Sequence, residues 1–149
     1  LFKSGEALES LGKINTMVFD KTGTITEGKP QVTDVISVEH SKEKLLELAS
    51  IAEKNSAHPL AKAVLLKARE QNMTIPDPDD FIVISGKGVK AIHDNMVIIV
   101  GNQNFLNEEE ITTQQDEISK LEQQGKTVIL VSINSKLAGI IGILDTPRK

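Results

Sequence analysis

Phe81-Ile82-Val83-Ile84-Ser85-Gly86-Lys87-Gly88-Val89-Lys90-Ala91-Ile92-His93-Asp94-Asn95-Met96-Val97-Ile98-Ile99-Val100 holds three β-branched runs separated by turn residues. The pattern predicts strands over 81–85, 89–93 and 96–100, broken at Gly86-Lys87-Gly88 and Asp94-Asn95. Connections this short cannot carry a crossover, so consecutive strands pair antiparallel. Working outward, 31–38 reads as a further strand. Ser41 is a suitable N-cap, and Leu45, Leu48, Ala49 and Ala52 repeat at i, i+3, i+4, i+7 on one face of a helix reaching about Lys54. Asn55-Ser56-Ala57-His58 interrupts it. Pro59 then suits the first turn of a second helix, carrying Leu60, Ala63, Val64 and Ala68 and ending before Pro76-Asp77-Pro78. On the other side, Asn107-Glu108-Glu109-Glu110 reads as a capping box opening a helix with Ile111, Ile118 and Leu121 on one face, closed by Gly125. The last hairpin, 127–133 and 137–144, turns at Asn134-Ser135-Lys136. The expected fold class is α+β: an antiparallel sheet of about six strands with flanking helices, packed on one face. Residues 14–19 read as a short buried strand standing apart from this set, a partial α/β piece at the N-terminus, and Gly28-Lys29-Pro30 reads as the boundary between the two.

Composition bounds the chemistry. The 149 residues are 39% hydrophobic and 26% charged, with a net charge of −4, which permits a packed core and disfavours a phosphate-backbone partner. Phe is the only aromatic residue, at four copies, so Tyr and Trp stacking platforms for nucleic acid are absent. Without cysteine there is no disulfide framework, thiol nucleophile or Cys-based zinc site. No apolar run approaches the roughly 18 residues of a membrane span. The chain opens at Leu1 and stops at Thr146-Pro147-Arg148-Lys149, which reads as a segment of something longer.

Asp20-Lys21-Thr22-Gly23-Thr24 directly follows the apolar Met17-Val18-Phe19. A carboxylate at the carboxyl end of a strand, in a turn whose Gly lets backbone approach, suits phosphate and Mg²⁺. Read generically, it is also a common turn in which Asp bonds its own backbone. The string as it stands resembles the phosphorylation signature of the P-type ATPases. Flanking Thr26-Glu27-Gly28-Lys29-Pro30 and upstream Gly5-Glu6-Ala7-Leu8-Glu9 are similar to the heavy-metal-transporting branch.

That resemblance implies roles residue by residue. Asp20 is the implied nucleophile that takes the γ-phosphate of ATP, with Lys21 and Thr22 beside it and Asp20 and Thr22 as a partial Mg²⁺ site. Related soluble phosphatases carry a second acid two residues after the nucleophile; Thr22 there leaves no general base, so the phosphoenzyme should persist. Ser56-Ala57-His58-Pro59-Leu60, with Glu53 upstream, resembles the branch's Ser-x-His-Pro motif, in which the His contacts adenine and the Glu bonds its exocyclic amine. Taken alone, the same residues are an ordinary helix boundary. Gly86 and Gly88 resemble a Gly-x-Gly that lines the nucleotide cleft, or else serve only a tight hairpin. A dinucleotide-binding reading of the same glycines fails because no helix follows. Gly101-Asn102 resembles a further pair of that site, though a strand-ending turn explains it nearly as well. Asp145 and Arg148 resemble the hinge returning to the phosphorylation domain. Gly125-Lys126-Thr127 is not a P-loop, since Lys120 stands where Gly is required and the order is helix to strand. His40 and His93 have no acidic or His partner at metal-ligand spacing and read as surface or turn histidines.

The implied organisation is an incomplete phosphorylation domain over 1–29, a nucleotide-binding domain over 30–144 and a hinge over 145–149. The implied function is ATP binding and aspartyl-phosphate formation on the cytoplasmic side of a Cu⁺-exporting membrane pump, with ATP and Mg²⁺ as cofactors. The remaining phosphorylation, actuator and transmembrane domains are the expected partners, and this chain by itself is expected to be monomeric. The alternatives are a Zn²⁺/Cd²⁺ exporter, a soluble phosphatase with a cap domain, and a nucleotide-sensing module without catalysis. The family's downstream Thr-Gly-Asp and Gly-Asp-Gly-x-Asn-Asp motifs do not occur in this sequence, so nucleotide binding with little turnover is expected of it.

Overall fold

A computed structural model describes Gly5, Glu9, Ser10, residues 12–16, Val18 and residues 26–147. In chain order, the elements are β1 (Thr26–Ser37), α1 (Lys42–Glu53), α2 (Pro59–Glu70), β2 (Asp80–Ile84), β3 (Gly88–His93), β4 (Met96–Gly101), α3 (Gln103–Glu108), α4 (Gln115–Gln123), β5 (Thr127–Ile133) and β6 (Lys136–Pro147). The strands form one six-stranded sheet in the order β1-β6-β5-β4-β3-β2, every pair antiparallel. The turn residues account for this directly. Asp94-Asn95 and Asn134-Ser135 all take positive φ, between 47° and 63°, the conformation of two-residue hairpins that short Asx side chains tolerate. Asn134 also reaches sideways: its Oδ1 accepts from Val97 N at 2.9 Å, pinning the β5–β6 turn to β4.

The helices do not share one face, as the sequence suggested. Leu45, Leu48, Ala49, Ala52 and Val64 of α1 and α2 pack against Val89, Ala91, Ile98, Val100, Ile129 and Ile141. Phe105, Leu106, Ile118 and Leu121 cover the opposite face over Ile99, Leu130 and Ile140. Consecutive Ile98, Ile99 and Val100 are each no more than 2% exposed, and such an unbroken apolar run demands cover on both sides. Strand connection length fixes pairing direction but carries no information about which face a helix takes.

The helix expected to open at Asn107 also differs. Asn102 is the N-cap of α3, its Oδ1 accepting from Phe105 N at 3.0 Å. Glu110 then takes φ 57°, and Ile111 N donates to Leu106 O at 2.9 Å to end the turn. Two Asx residues could have capped a helix here. Burial of Phe105 and Leu106, at 3% and 0% exposed, selects the earlier one. Gly125, φ 75°, closes α4 as the sequence predicts.

Gly28-Lys29-Pro30 lies inside β1, with Gly28 at φ 70°. β1 runs through it, and its pairing with β6 spans Thr26↔Pro147 to Ser37↔Gly139, with a register shift between Thr26 and Pro30. Pro is accommodated because β1 is an edge strand with an irregularity at that point. Residues 14–16 and Val18 belong to no strand, and Val18 is 91% exposed; an apolar run needs a neighbouring ladder before it becomes a strand. Among the described residues, no helix is long and apolar enough to cross a membrane.

Candidate functional site

The α1–α2 connection is built by short-range bonds. Ser56 N donates to Glu53 O at 3.0 Å, and Lys54 Nζ holds Ile75 O at 2.9 Å and Asp77 at 3.0 Å, tying down the loop after α2. His58 is the N-cap of α2. Its Nδ1 accepts from Leu60 N at 3.2 Å, with Pro59 at the first helical position. This bond sets the orientation of the ring on an exposed residue. Sequence reasoning treated this residue only as the one preceding Pro59 or as a base contact, and missed its capping role.

Opposite stands the end of the sheet. Ile84 pairs with Gly88, Gly88 with Gly101, Gly101 with Leu130 and Thr127 with Ile143, so these strand ends lie side by side. A Cβ on Gly88 would stand 2.1 Å from Val100 O, and one on Gly101 would stand 2.5 Å from Lys87 O; only glycine fits at either place. Asn102 locks the turn, its N donating to Lys87 O at 2.9 Å and its Nδ2 to Gly86 O at 2.9 Å.

Between these two walls lies a cavity of about 350 Å³ whose lining includes Glu53, Ser56, His58, Gly86, Gly88, Gly101 and Asn102. Such a volume falls in the range that holds small ligands, roughly 300–1,000 Å³. Every residue the sequence singled out for nucleotide contact is therefore brought to one place. Sequence reasoning missed the apolar part of the lining: Leu60, Val83, Ile84, Val89, Val128 and Ile129. Val83 and Val89 are direct cross-strand partners beside the glycine turn, a signal available from the hairpin register.

Glu53 dominates the electrostatics. It is 6% exposed, and its Oε2 has no hydrogen-bond partner. Burial pushes its carboxyl up to about 7, against the opposing effect of a hydrogen bond from Ser56.

Asp20, Lys21, Thr22 and Arg148 lie outside the described residues. Asp145, the other hinge expectation, sits on β6 and accepts from Lys29 N at 2.9 Å. His40 is exposed, as expected. His93 needs correction: its Nε2 stands 3.5 Å from Asp94, and Asp79 completes a group whose ligand atoms lie within 4.8 Å of one another. The hydrogen bond from Asp94 N to Asp79 Oδ2, 2.9 Å, brings the two segments together. Asp79 is far from His93 in sequence, so linear spacing could not show the group.

An antiparallel sheet with a glycine-rimmed, carboxylate-bearing cavity at its strand ends defines a ligand-binding module. The chain belongs to the haloacid dehalogenase-like hydrolase family, which matches residues 14–149. Within it, the chain resembles the catalytic segment of heavy-metal P-type ATPases. It is 42% identical over 150 residues to a copper-exporting P-type ATPase of Staphylococcus saprophyticus, covering 99% of this chain and 18% of that protein. Among solved structures, it is similar to a zinc-transporting PIB-type ATPase in an E2.Pi state, with a TM-score of 0.77, 34% identity, and coverage of 99% of this chain and 24% of that one. The catalytic domain of the CPx-ATPase CopB-B, described through its changes upon nucleotide binding, matches with a TM-score of 0.71, 31% identity, and coverage of 99% and 50%. The chain thus spans about a fifth of the length of the curated relatives it matches.

Proposed function

We propose that the cavity binds an adenine nucleotide and that the chain is the ATP-binding and phosphate-accepting part of a heavy-metal P-type ATPase. The observation that carries this is the convergence of Glu53, His58, Gly86, Gly88, Gly101 and Asn102, from three separate stretches of sequence, on one cavity. The ring of His58, held by its cap bond, offers a face to the base. Ionised Glu53 accepts from the exocyclic amine, and the apolar lining excludes water from the base. Gly86 and Gly88 let backbone approach the ribose and phosphates without a Cβ in the way. Beyond the described residues, Asp20 is the proposed nucleophile: a carboxylate oxygen bonds to the γ-phosphorus as the bond to the ADP oxygen breaks, leaving an aspartyl-phosphate and ADP. Mg²⁺ supplies charge neutralisation at the transferred phosphate. Its expected ligands, Asp20 and Thr22, are not among the described residues, and Glu53 is the only carboxylate among the described residues that line the cavity.

Residues 30–144 are read as the nucleotide-binding domain, 1–29 as the start of the phosphorylation domain, and 145–149 as the return. The complete protein is read as a pump in the cell membrane with this part on the cytoplasmic side, working with phosphorylation, actuator and transmembrane domains. Cu⁺ is the proposed cargo, following the name of the S. saprophyticus relative; the zinc-transporting neighbour supports Zn²⁺ as a second reading.

The test is calorimetric titration of the chain with ATP against a His58→Asn variant. Asn keeps an acceptor for Leu60 N but removes the ring. The expected result is an unchanged Tm with ATP affinity reduced about tenfold, the scale of one lost base-stacking contact. Unchanged affinity would overturn the reading.

A further inference from the structure

We propose that Lys87 is the cavity's cation for the nucleotide's phosphates, stored on Glu108 when the cavity is empty and released to the phosphates when it fills. The proposal rests on the nucleotide-binding reading. Three observations carry it. Lys87 stands between Gly86 and Gly88 on the cavity rim, with its backbone fixed at both ends: its N donates to Ile84 O at 3.0 Å, and its C=O accepts from Asn102 N at 2.9 Å. Among the described lining residues, it is the only one with a fixed positive charge, although a triphosphate brings several negative charges. Its Nζ lies 2.6 Å from Glu108 Oε2, at the last residue of α3, with side chains 38% and 57% exposed.

An ion pair so exposed contributes little to folding, and its partners rehydrate at small cost when it opens. A phosphate is the better partner, because charge-assisted bonds to it are stronger and its oxygens accept several N–H donors at once. Lysine suits exchange, since a compact ammonium on a flexible stem swings between acceptors without the planar geometry arginine requires. The neighbouring Lys90–Glu109 pair, 2.9 Å, holds the next carboxylate separately, so Lys87 leaves Glu108 without disturbing α3. The device separates phosphate recognition from base recognition: adenosine engages the cavity with the Lys87–Glu108 pair intact, whereas ATP opens it.

Titration of the 149-residue chain with ATP and with adenosine, at low and moderate salt, tests this. In Lys87→Gln, ATP affinity should fall about tenfold and its salt dependence flatten, with adenosine affinity held within about twofold. Lys87→Arg should retain most of the preference for ATP. Glu108→Gln should strengthen ATP binding about two- to threefold and leave adenosine alone. NMR of the Lys87 ammonium should shift with ATP and not with adenosine. If wild type binds both ligands but Lys87→Gln leaves their ratio unchanged, or weakens both equally, the Lys87 proposal fails and the nucleotide reading stands. If wild type binds neither, both fail.

Discussion

Glu53 is a carboxyl group kept out of water with one oxygen unpartnered, and the chain's stability should register it. The folded state holds this proton up to about 7, against 4.5 for a glutamate in water. Between those values, the folded chain therefore binds more protons than the unfolded chain, and stability falls as pH rises through that window, levelling above it. At about 1.4 kcal/mol per unit, the full cost is about 3 kcal/mol. Urea unfolding between pH 4.5 and 8 should show this slope in wild type and its loss in Glu53→Gln, which should be the more stable variant at pH 8. Nucleotide binding should run the opposite way. An amine donating to Glu53 favours the ionised form, so ATP affinity rises from pH 6 to 8, and binding near pH 6.5 releases a proton, detected calorimetrically in buffers of different ionisation heat. A flat profile in wild type would remove Glu53 from the site. The pairing of Glu53 with His58 was legible only through the resemblance to the Ser-x-His-Pro motif, since taken alone the same residues read as an ordinary helix boundary. The burial of Glu53 was not, because burial depends on the sheet end opposite, which linear order does not reveal.

At the scale of elements, the β2–β3 turn and the β4–α3 junction are one unit, joined where Gly88 and Gly101 cross. Gly88→Ala places a Cβ against Val100 O at 2.1 Å, at φ 153°. No side chain can move aside, so backbone must, at an expected cost of about 3 kcal/mol. Gly86→Ala meets nothing within 4 Å and pays only for its left-handed backbone, about 1 kcal/mol. Thermal unfolding of the two variants should separate in that order, and nucleotide affinity should collapse in Gly88→Ala alone. Equal Tm values would mean that the crossing is looser than described. The hairpins were readable because Asp94-Asn95 and Gly86-Lys87-Gly88 carry their turn chemistry locally. The helix starting at Gln103 was not, since Asn102 and Asn107 are equally good caps and only the packing of Phe105 and Leu106 decides between them.

For the molecule as a whole, the described residues that line the cavity all fall between Glu53 and Ile129. A chain trimmed to residues 26–147 should fold with the same spectrum and bind ATP within about twofold of the full chain, which direct titration would check. The full 149 residues should give no hydroxylamine-sensitive label from γ-labelled ATP. Transfer to Asp20 needs cations around the leaving phosphate, and this sequence contains none of the downstream acid motifs that its resemblance to the pumps implies. Antiparallel architecture was legible from connection lengths. The division of helices between two faces was not, because unbroken apolar strands such as 97–100 point both ways.

The β1–β6 ladder, carried out to Thr26↔Pro147, makes the way in and the way out a single strap. A body hung on one flexible thread explores a sphere and dilutes whatever it carries. On the proposed reading of this sheet as a nucleotide-binding domain carried by a phosphorylation domain, a mount of two bonded strands would bend across the strap's thin dimension and resist sideways shear. Cargo on such a mount meets its target at a far higher local concentration than a floppy linker of equal length would give.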